Sequence, residues 1–172
     1  MTTLRQVAER AVGKKKAKRG KKKTITCGPP SVALCVPHLE GEHNRRYELQ
    51  LVMSGLPALT NEMYRKGWRA VRTEQTKWKQ AVIALAYTHR PAKPLKKARL
   101  TITRHSSVEP DYDGNAGSGK SIIDGLVISK IIQDDKMSNI GRPIYKWVKA
   151  PATEGHVSVF VEELLEGEDV PV

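Results

Sequence analysis

Residues 46–53 read RYELQLVM, and every second side chain from Tyr47 to Met53 is apolar. A period of two predicts a half-buried β-strand, which Gly55 and Pro57 would end. From about residue 60 to 86, apolar side chains recur at every third or fourth position instead. This spacing predicts one long amphipathic helix, which ends before Pro91.

The rest of the chain adds further strands and a second helix. Residues 98–103, 144–148 and 157–161 are predicted strands, and residues 121–131 are a predicted short helix. The intervening segment 105–119 is polar. Because strands and helices mix without a regular βαβ alternation, the sequence predicts an α+β fold, a single compact domain with a mixed sheet and two main helices.

Basic residues are concentrated at the start of the chain. The formal net charge is +12, and residues 1–23 account for +9 of it, with ten Lys or Arg, including Lys14, Lys15 and Lys16, against one acid. Such a segment cannot bury a core, so residues 1–23 are predicted to be a disordered arm that precedes a domain at 24–172. The arm would attract DNA by releasing counterions, although a solubility tail or a localisation signal has the same composition.

The composition also bears on localisation and on metal sites. No apolar run approaches the roughly 20 residues that cross a bilayer, so we expect no membrane partner and a cytoplasmic, nucleoid-associated protein, compatible with a phage or prophage origin. Cys27 and Cys35 make no disulfide framework. Together with His38 and His43 they are zinc-ligand types, but their spacing matches no standard finger, so unligated residues are favoured.

Acidic residues carry the candidate chemistry in the segment 109–135. Asp111 and Asp113 are two apart, so in extended backbone their side chains would point the same way, and Asp134 and Asp135 follow the predicted helix. Three or four carboxylates in one pocket would need a hard cation such as Mg²⁺, which suits phosphodiester hydrolysis. Lys120 would meet the scissile phosphate. Alternatively, these aspartates are turn formers and helix caps.

An ordered set of short motifs resembles the RusA family of Holliday junction resolvases. These motifs are Pro110-Asp111-Tyr112-Asp113, Lys120, Ile122-Ile123-Asp124-Gly125-Leu126 and Ile132-Gln133-Asp134-Asp135. Upstream, Gly55-Leu56-Pro57, Asn61 and Tyr64-Arg65 are similar to the loop that precedes the long helix of that family. The likeness covers most of residues 46–163 in order.

The resemblance implies a RusA-like nuclease domain, homodimeric and dependent on Mg²⁺, that resolves four-way junctions in recombination and repair by paired symmetric nicks. By motif position, Asp111, Asp113 and Asp135 would be metal ligands and catalytic carboxylates, with Asp134 beside them and Lys120 as the catalytic or phosphate-contacting lysine. The family has Asn directly after its second Asp and its lysine four residues beyond that Asp. Here Gly114 follows, and about three extra residues precede Lys120.

Two further patterns leave alternatives open. Gly114 to Ser121 fits the P-loop pattern of nucleotide hydrolases, but the segment before it is polar and broken by proline rather than a buried strand.

Along the long helix, basic residues interleave with Tyr64, Trp68 and Trp78. The tryptophans have the spacing of core residues, and the expected DNA-contacting set is Arg65, Arg69, Arg72 and Lys77. A non-catalytic DNA-binding protein, or a nuclease for flaps or forks, therefore remains an alternative.

Overall fold

The computed structural model describes residues 32–36, 46–65, 67–165 and 167–170. Its sheet has five strands in the order β1-β2-β5-β3-β4, of which β3 and β4 are parallel and the other neighbours antiparallel. The strands are β1 (Val32–Val36), β2 (Glu48–Ser54), β3 (Ala98–Ser106), β4 (Ile144–Lys149) and β5 (His156–Glu163). The helices are α1 (Thr60–Tyr64), α2 (Trp68–Ala86), α3 (Tyr112–Ile128) and α4 (Met137–Ile140), with 3-10 turns at Tyr87–His89 and Ala152–Glu154. The predicted α+β class, mixed sheet and two main helices are confirmed.

One face of the sheet forms the core, as the alternating sequence patterns predict. Alternate residues of β3 are buried along its whole length, and β2 and β5 follow the same period. In register, Val161 lies between Leu49 and Leu100, all of them at most 1% exposed. Apolar side chains therefore form continuous rows across the three central strands, and helices α2 and α3 complete the core.

The two long helices pack closely where Gly125 of α3 meets α2. A Cβ atom at Gly125 would lie 2.8 Å from Cβ of Val82 and 3.2 Å from the carbonyl oxygen of Lys79. Val82 is fully buried. Only glycine therefore allows the two backbones to approach this closely.

Two predicted helices have different bounds in the structure. The helix predicted at 60–86 is divided, because α1 ends at Tyr64 and α2 begins at Trp68 after an N-cap at Gly67. The helix predicted to begin at Ser121 begins at Tyr112 instead, so the polar segment 105–119 includes the last residues of β3 and the first turns of α3. Each Gly costs about 1 kcal/mol relative to Ala in a helix, but packing of this glycine-rich segment overrides that preference.

The helical conformation of Gly114 to Ser121 contradicts the P-loop alternative. A P-loop presents its backbone N–H groups to phosphate, whereas here the segment lies inside a 17-residue helix, whose backbone N–H groups are used within the helix. The segment forms no loop, and its small residues serve helix packing instead. Gly114, Asn115, Ser118 and Gly119 are all buried.

Several predictions fall outside the described residues. They concern the basic arm with Lys14, Lys15 and Lys16, and the zinc candidates Cys27, His38 and His43. Cys35 lies in β1. Among the described residues, no helix combines the length and the apolar character needed to cross a membrane.

Candidate functional site

Asp111 and Asp113 mark the beginning of α3. Asp111 is the N-cap residue, with φ −64° and ψ 150°, and Asp113 lies in the first helical turn. The extended arrangement predicted for this pair is therefore wrong. Both carboxylates lie at the end of the helix where its dipole favours negative charge. The side chains of both residues are exposed.

Helix α1 holds this acidic end of α3 in place. Asn61 donates a hydrogen bond from Nδ2 to Oδ2 of Asp111 at 3.1 Å, and the Thr60 hydroxyl donates to the carbonyl oxygen of Asp113 at 3.4 Å. At Gly117 an added Cβ would clash with the Thr60 hydroxyl. The absence of a side chain at Gly117 therefore lets α1 rest directly on α3.

Lys120 lies two helical turns further along α3, between two carboxylates. Its Nζ donates hydrogen bonds to Oδ2 of Asp135 at 2.6 Å and to Oδ1 of Asp124 at 2.9 Å. Lys79 of α2 reaches Oδ2 of Asp124 at 2.7 Å. We call Lys79, Asp124, Lys120 and Asp135 the charge cluster. It links both long helices to the segment that follows α3.

The charge cluster shifts the pKa values of Lys120 and Asp124. The hydrogen bonds that Lys120 donates to Asp135 and then to Asp124 raise the pKa of Lys120 above its ordinary value, so Lys120 is a cation at neutral pH. Burial alone would raise the pKa of Asp124, but hydrogen bonds from Lys79 and Lys120 outweigh burial, and the pKa of Asp124 is lowered. The Lys120 side chain is 61% exposed, so this cation is accessible to a ligand.

The turn after α3 brings Asp135 to Lys120. Lys130 adopts a left-handed conformation with φ 63°, which reverses the chain. Ile132 then forms a bridge with Leu95, where the N–H of Gln133 donates to the Leu95 carbonyl at 2.9 Å. Both isoleucines of this segment, Ile131 and Ile132, are fully buried and anchor it.

Asp134 has a different role from Asp135 in this turn. Its Oδ1 accepts the backbone N–H of Asp135 at 2.8 Å, and its Oδ2 pairs with Nζ of Lys136 at 2.8 Å. Both contacts lower the pKa of Asp134, and the contact with Lys136 has the larger effect. Asp134 therefore orients the backbone at Asp135 rather than contacting Lys120.

The sequence-predicted carboxylates divide into two groups on α3 and beyond it. Asp113 and Lys120 are seven residues apart, which places them on one helix face with a rise of about 10.5 Å between their Cα atoms. Asp111 and Asp113 form an acidic pair at one end, and Asp135 belongs to the charge cluster. Within the described ranges, no three His, Cys, Asp or Glu side chains lie close enough together to hold one metal ion.

These carboxylates match Mg²⁺ in ligand type, although the acidic pair and Asp135 lie apart in this structure. Asp111, Asp113 and Asp135 offer hard oxygen atoms at exposed positions, which is the ligand type that Mg²⁺ prefers together with water and phosphate oxygens. In this structure the ammonium group of Lys120 supplies the positive charge beside Asp135. A phosphate that attracted Lys120 would leave Asp135 open to another cation.

Two tyrosines line the surface between the acidic pair and Lys120. Tyr145 of β4 packs against Gly119, where an added Cβ would lie 2.7 Å from Cε1 of the ring. Tyr112 meets Tyr145 edge to face, with 6.3 Å between ring centroids. Burial raises the pKa of Tyr145, and the neighbouring Tyr112 raises it further, whereas Lys120 has the opposite and smaller effect. The Tyr145 hydroxyl therefore stays protonated at neutral pH.

Sequence reasoning missed several of these neighbours. It gave no role to Asp124, although its spacing of four residues from Lys120 is typical of a helical ion pair. Asn61 appeared only within a motif, and Lys79 and Tyr145 had no local signal at all. Their contacts come from the packing of α1, α2 and β4 against α3.

The two tryptophans of α2 were both predicted to be core residues, and the prediction is wrong for one of them. Trp78 is 4% exposed and belongs to the core, as expected, but Trp68 is 68% exposed. Arg65, Arg69, Arg72 and Lys77 are exposed, as a DNA-contacting set would have to be. The Arg69 guanidinium lies 5.4 Å from the centroid of the Trp68 ring.

Comparison with models of known protein families finds none that matches the chain, and no curated protein is significantly similar to it. The geometry described above therefore carries the functional argument, together with the sequence motifs.

The charge cluster predicts a pH-dependent contribution to stability. Because the pKa of Asp124 is lowered on folding, its contribution is present above the ordinary value of 3.8 and is lost as pH falls through the folded value. We expect Asp124→Asn to lower the free energy of unfolding by about 1 kcal/mol at pH 7 and by much less near pH 3. Urea denaturation at both pH values measures this, with the exposed Glu154→Gln as control. A deficit that is equal at both pH values would contradict the role of the ionised carboxylate.

Proposed function

We propose that this chain is a Mg²⁺-dependent endodeoxyribonuclease that cuts branched DNA, with four-way junctions as its substrate. One observation carries the proposal: Lys120, a protonated and accessible lysine on the helix that begins with Asp111 and Asp113, contacts Asp135, which follows that helix. The ordered motifs that resemble the RusA family support it, since they include these same residues. A purely structural ion pair would not require the exposed acidic pair two turns away.

Asp111, Asp113 and Asp135 are the residues that would hold Mg²⁺, and because they lie in two groups here, a bound ion would have to draw the acidic pair and Asp135 together. When bound, the ion would supply activation of a water molecule and stabilisation of the leaving oxygen. Asn61, hydrogen-bonded to Asp111, and the backbone contact of Asp134 would orient two of these carboxylates. In this proposal Asp134 acts on the reaction through the position of Asp135.

Lys120 would neutralise a phosphate oxygen at the cleavage point. Its raised pKa keeps the proton on Nζ at neutral pH, so it contributes a positive charge and does not act as a general base. The seven-residue spacing from Asp113 supports this role, because four and seven residues both return to nearly the same helix face. The three extra residues before Lys120 therefore lengthen its distance from Asp113 by about 4.5 Å along the helix and preserve its direction.

The proposal assigns DNA contacts to basic side chains outside the acidic surface. These are Lys14, Lys15 and Lys16 of the arm and Arg65, Arg69, Arg72 and Lys77 of the α1–α2 region. They would offset the repulsion between the aspartates and the DNA phosphates. A homodimer is part of the proposal, since one active site per copy would account for paired nicks in two strands.

Cleavage of a synthetic four-way junction tests the proposed function. Each strand is labelled in turn and incubated with the full chain in Mg²⁺ or in EDTA. We expect paired nicks at positions symmetric about the branch point, absent in EDTA and absent from linear duplex of the same sequence.

The contrary outcomes are distinct. Tight junction binding without nicks in Mg²⁺ or Mn²⁺ would contradict the enzyme and favour a non-catalytic DNA-binding protein, in which the charge cluster is purely structural. Faster cutting of a flap or fork than of the junction would contradict the substrate and retain the nuclease.

A further inference from the structure

Exposed aromatic and basic side chains lie together at the junction of α1 and α2. We call Tyr64, Trp68, Arg69, Arg72 and Lys77 the aromatic-basic surface. Tyr64 is 84% exposed and ends α1, and Trp68 begins α2. Trp68, Arg69, Arg72 and Lys77 border a shallow, open groove along the outer side of α2.

The core of the domain does not account for the position of Trp68. The buried side chains of α2 are Trp78, Val82 and Ala86, and they face the sheet and α3. Trp68 lies on the outer side, one helical turn from Arg72 and beside Arg69. The exposed indole contacts the Arg69 guanidinium and is accessible to a ligand.

The charges of this surface favour an anionic ligand. Within the described part of the chain, Arg69, Arg72 and Lys77 form no ion pair with a carboxylate, whereas Lys79 on the same helix is paired with Asp124. Three cations beside a flat aromatic ring match the two parts of a nucleotide, a phosphate and a base. Base stacking on aromatic rings together with phosphate contacts is the usual mode of single-strand binding.

We propose that the aromatic-basic surface binds unpaired nucleotides of the DNA substrate, with one base stacked on Trp68 and the phosphates held by Arg69 and Arg72. A paired base is covered on both faces by its neighbours, so only an unstacked base can meet the indole. The inference deepens the proposed function and rests on it for its role in cleavage. Helix α1, about 7.5 Å long, links Tyr64 of this surface to Asn61, which contacts Asp111.

Binding measurements without cleavage test this inference. The full chain is titrated in EDTA against a fluorescent oligothymidine strand and a duplex of the same length, for wild type, Trp68→Ala and Trp68→Phe. We expect Trp68→Ala to weaken single-strand binding about 10-fold and duplex binding less than 2-fold, and Trp68→Phe to retain most of the affinity. Because Trp68 is exposed, thermal unfolding should be nearly unchanged.

The chain offers a matched control at the other end of α2. Tyr87 is 63% exposed and has Arg90 4.5 Å from its ring centroid, so Tyr87→Ala removes an equivalent aromatic–arginine pair. We expect this variant to bind the single strand and the duplex with wild-type affinity. Arg69→Ala and Arg72→Ala should each reduce the salt dependence of single-strand binding by about 0.7 in the slope of log K against log salt.

Two results would overturn the inference. One is equal loss of single-strand and duplex binding in Trp68→Ala, which would reduce this surface to non-specific contact. The other is an unchanged single-strand affinity in Trp68→Ala. Since no metal is present, neither result depends on nicking, and a chain that fails to cut junctions can still pass or fail this test.

Discussion

The Asp135→Asn variant is expected to bind four-way junctions like the wild type and to nick them at least about 100-fold more slowly. The substitution keeps the size of the side chain but removes a charge that the proposal assigns to Mg²⁺, an interaction of several kcal/mol in the transition state. It also removes the contact at 2.6 Å that holds Lys120. Single-turnover nicking in Mg²⁺ measures the rate, and gel shift in EDTA measures binding.

A control separates this effect from a general change of charge. Asp169→Asn removes one carboxylate from the exposed C-terminal segment, outside α3 and its following turn, and should nick at the wild-type rate. Asp113→Asn should match Asp135→Asn if both hold the same ion. Wild-type nicking by Asp135→Asn would place the reaction elsewhere in the molecule and contradict the proposed site.

The Gly125→Leu variant is expected to lose about 3 kcal/mol of stability or more, enough to lower Tm by about 10 °C. Even a methyl group at this position would lie 2.8 Å from Cβ of Val82, and the larger side chain has no space between the helices. Helices α2 and α3 would have to separate, which exposes core residues and pulls Lys79 away from Asp124. Thermal and urea unfolding of the full chain measure the loss.

A second glycine serves as the comparison for Gly125. Gly67, the N-cap of α2, has no atom within 4 Å of an added Cβ and has a negative φ of −58°. Gly67→Ala should therefore cost less than about 1 kcal/mol. If Gly125→Leu proved as mild as Gly67→Ala, the close helix contact would not exist in solution.

The three central strands could be predicted from sequence because each has one buried face, whereas β1 was not predicted. In β2, β3 and β5 burial alternates with every residue, so the period of two is visible without knowledge of the partners. The first half of α3 could not be predicted. Gly114, Gly117 and Gly119 oppose helix formation locally, and only their contacts with Asp111, Thr60 and Tyr145 account for them.

The candidate site was predictable in its residues but only partly in its geometry. The motif order named Lys120 and Asp135, and the structure brings these two into contact. The motif order did not predict the pairing of Lys79 with Asp124, because that contact depends on how α2 crosses α3. The exposure of Trp68 was missed for a related reason: ten residues of helix rotate it about 80° away from the direction of Trp78.

The glycine-rich start of α3 has a consequence for the dynamics of the domain. Its first turns depend on a few tertiary contacts, with Thr60 and Tyr145, and little on intrinsic helix propensity. Local opening there requires less free energy than global unfolding, since the second half of α3, with Ile122 and Leu126, stays in the core. Such an opening would change the separation of Asp113 and Lys120 while the sheet stays folded. A ligand that contacted both charges would oppose such an opening and favour the intact helix.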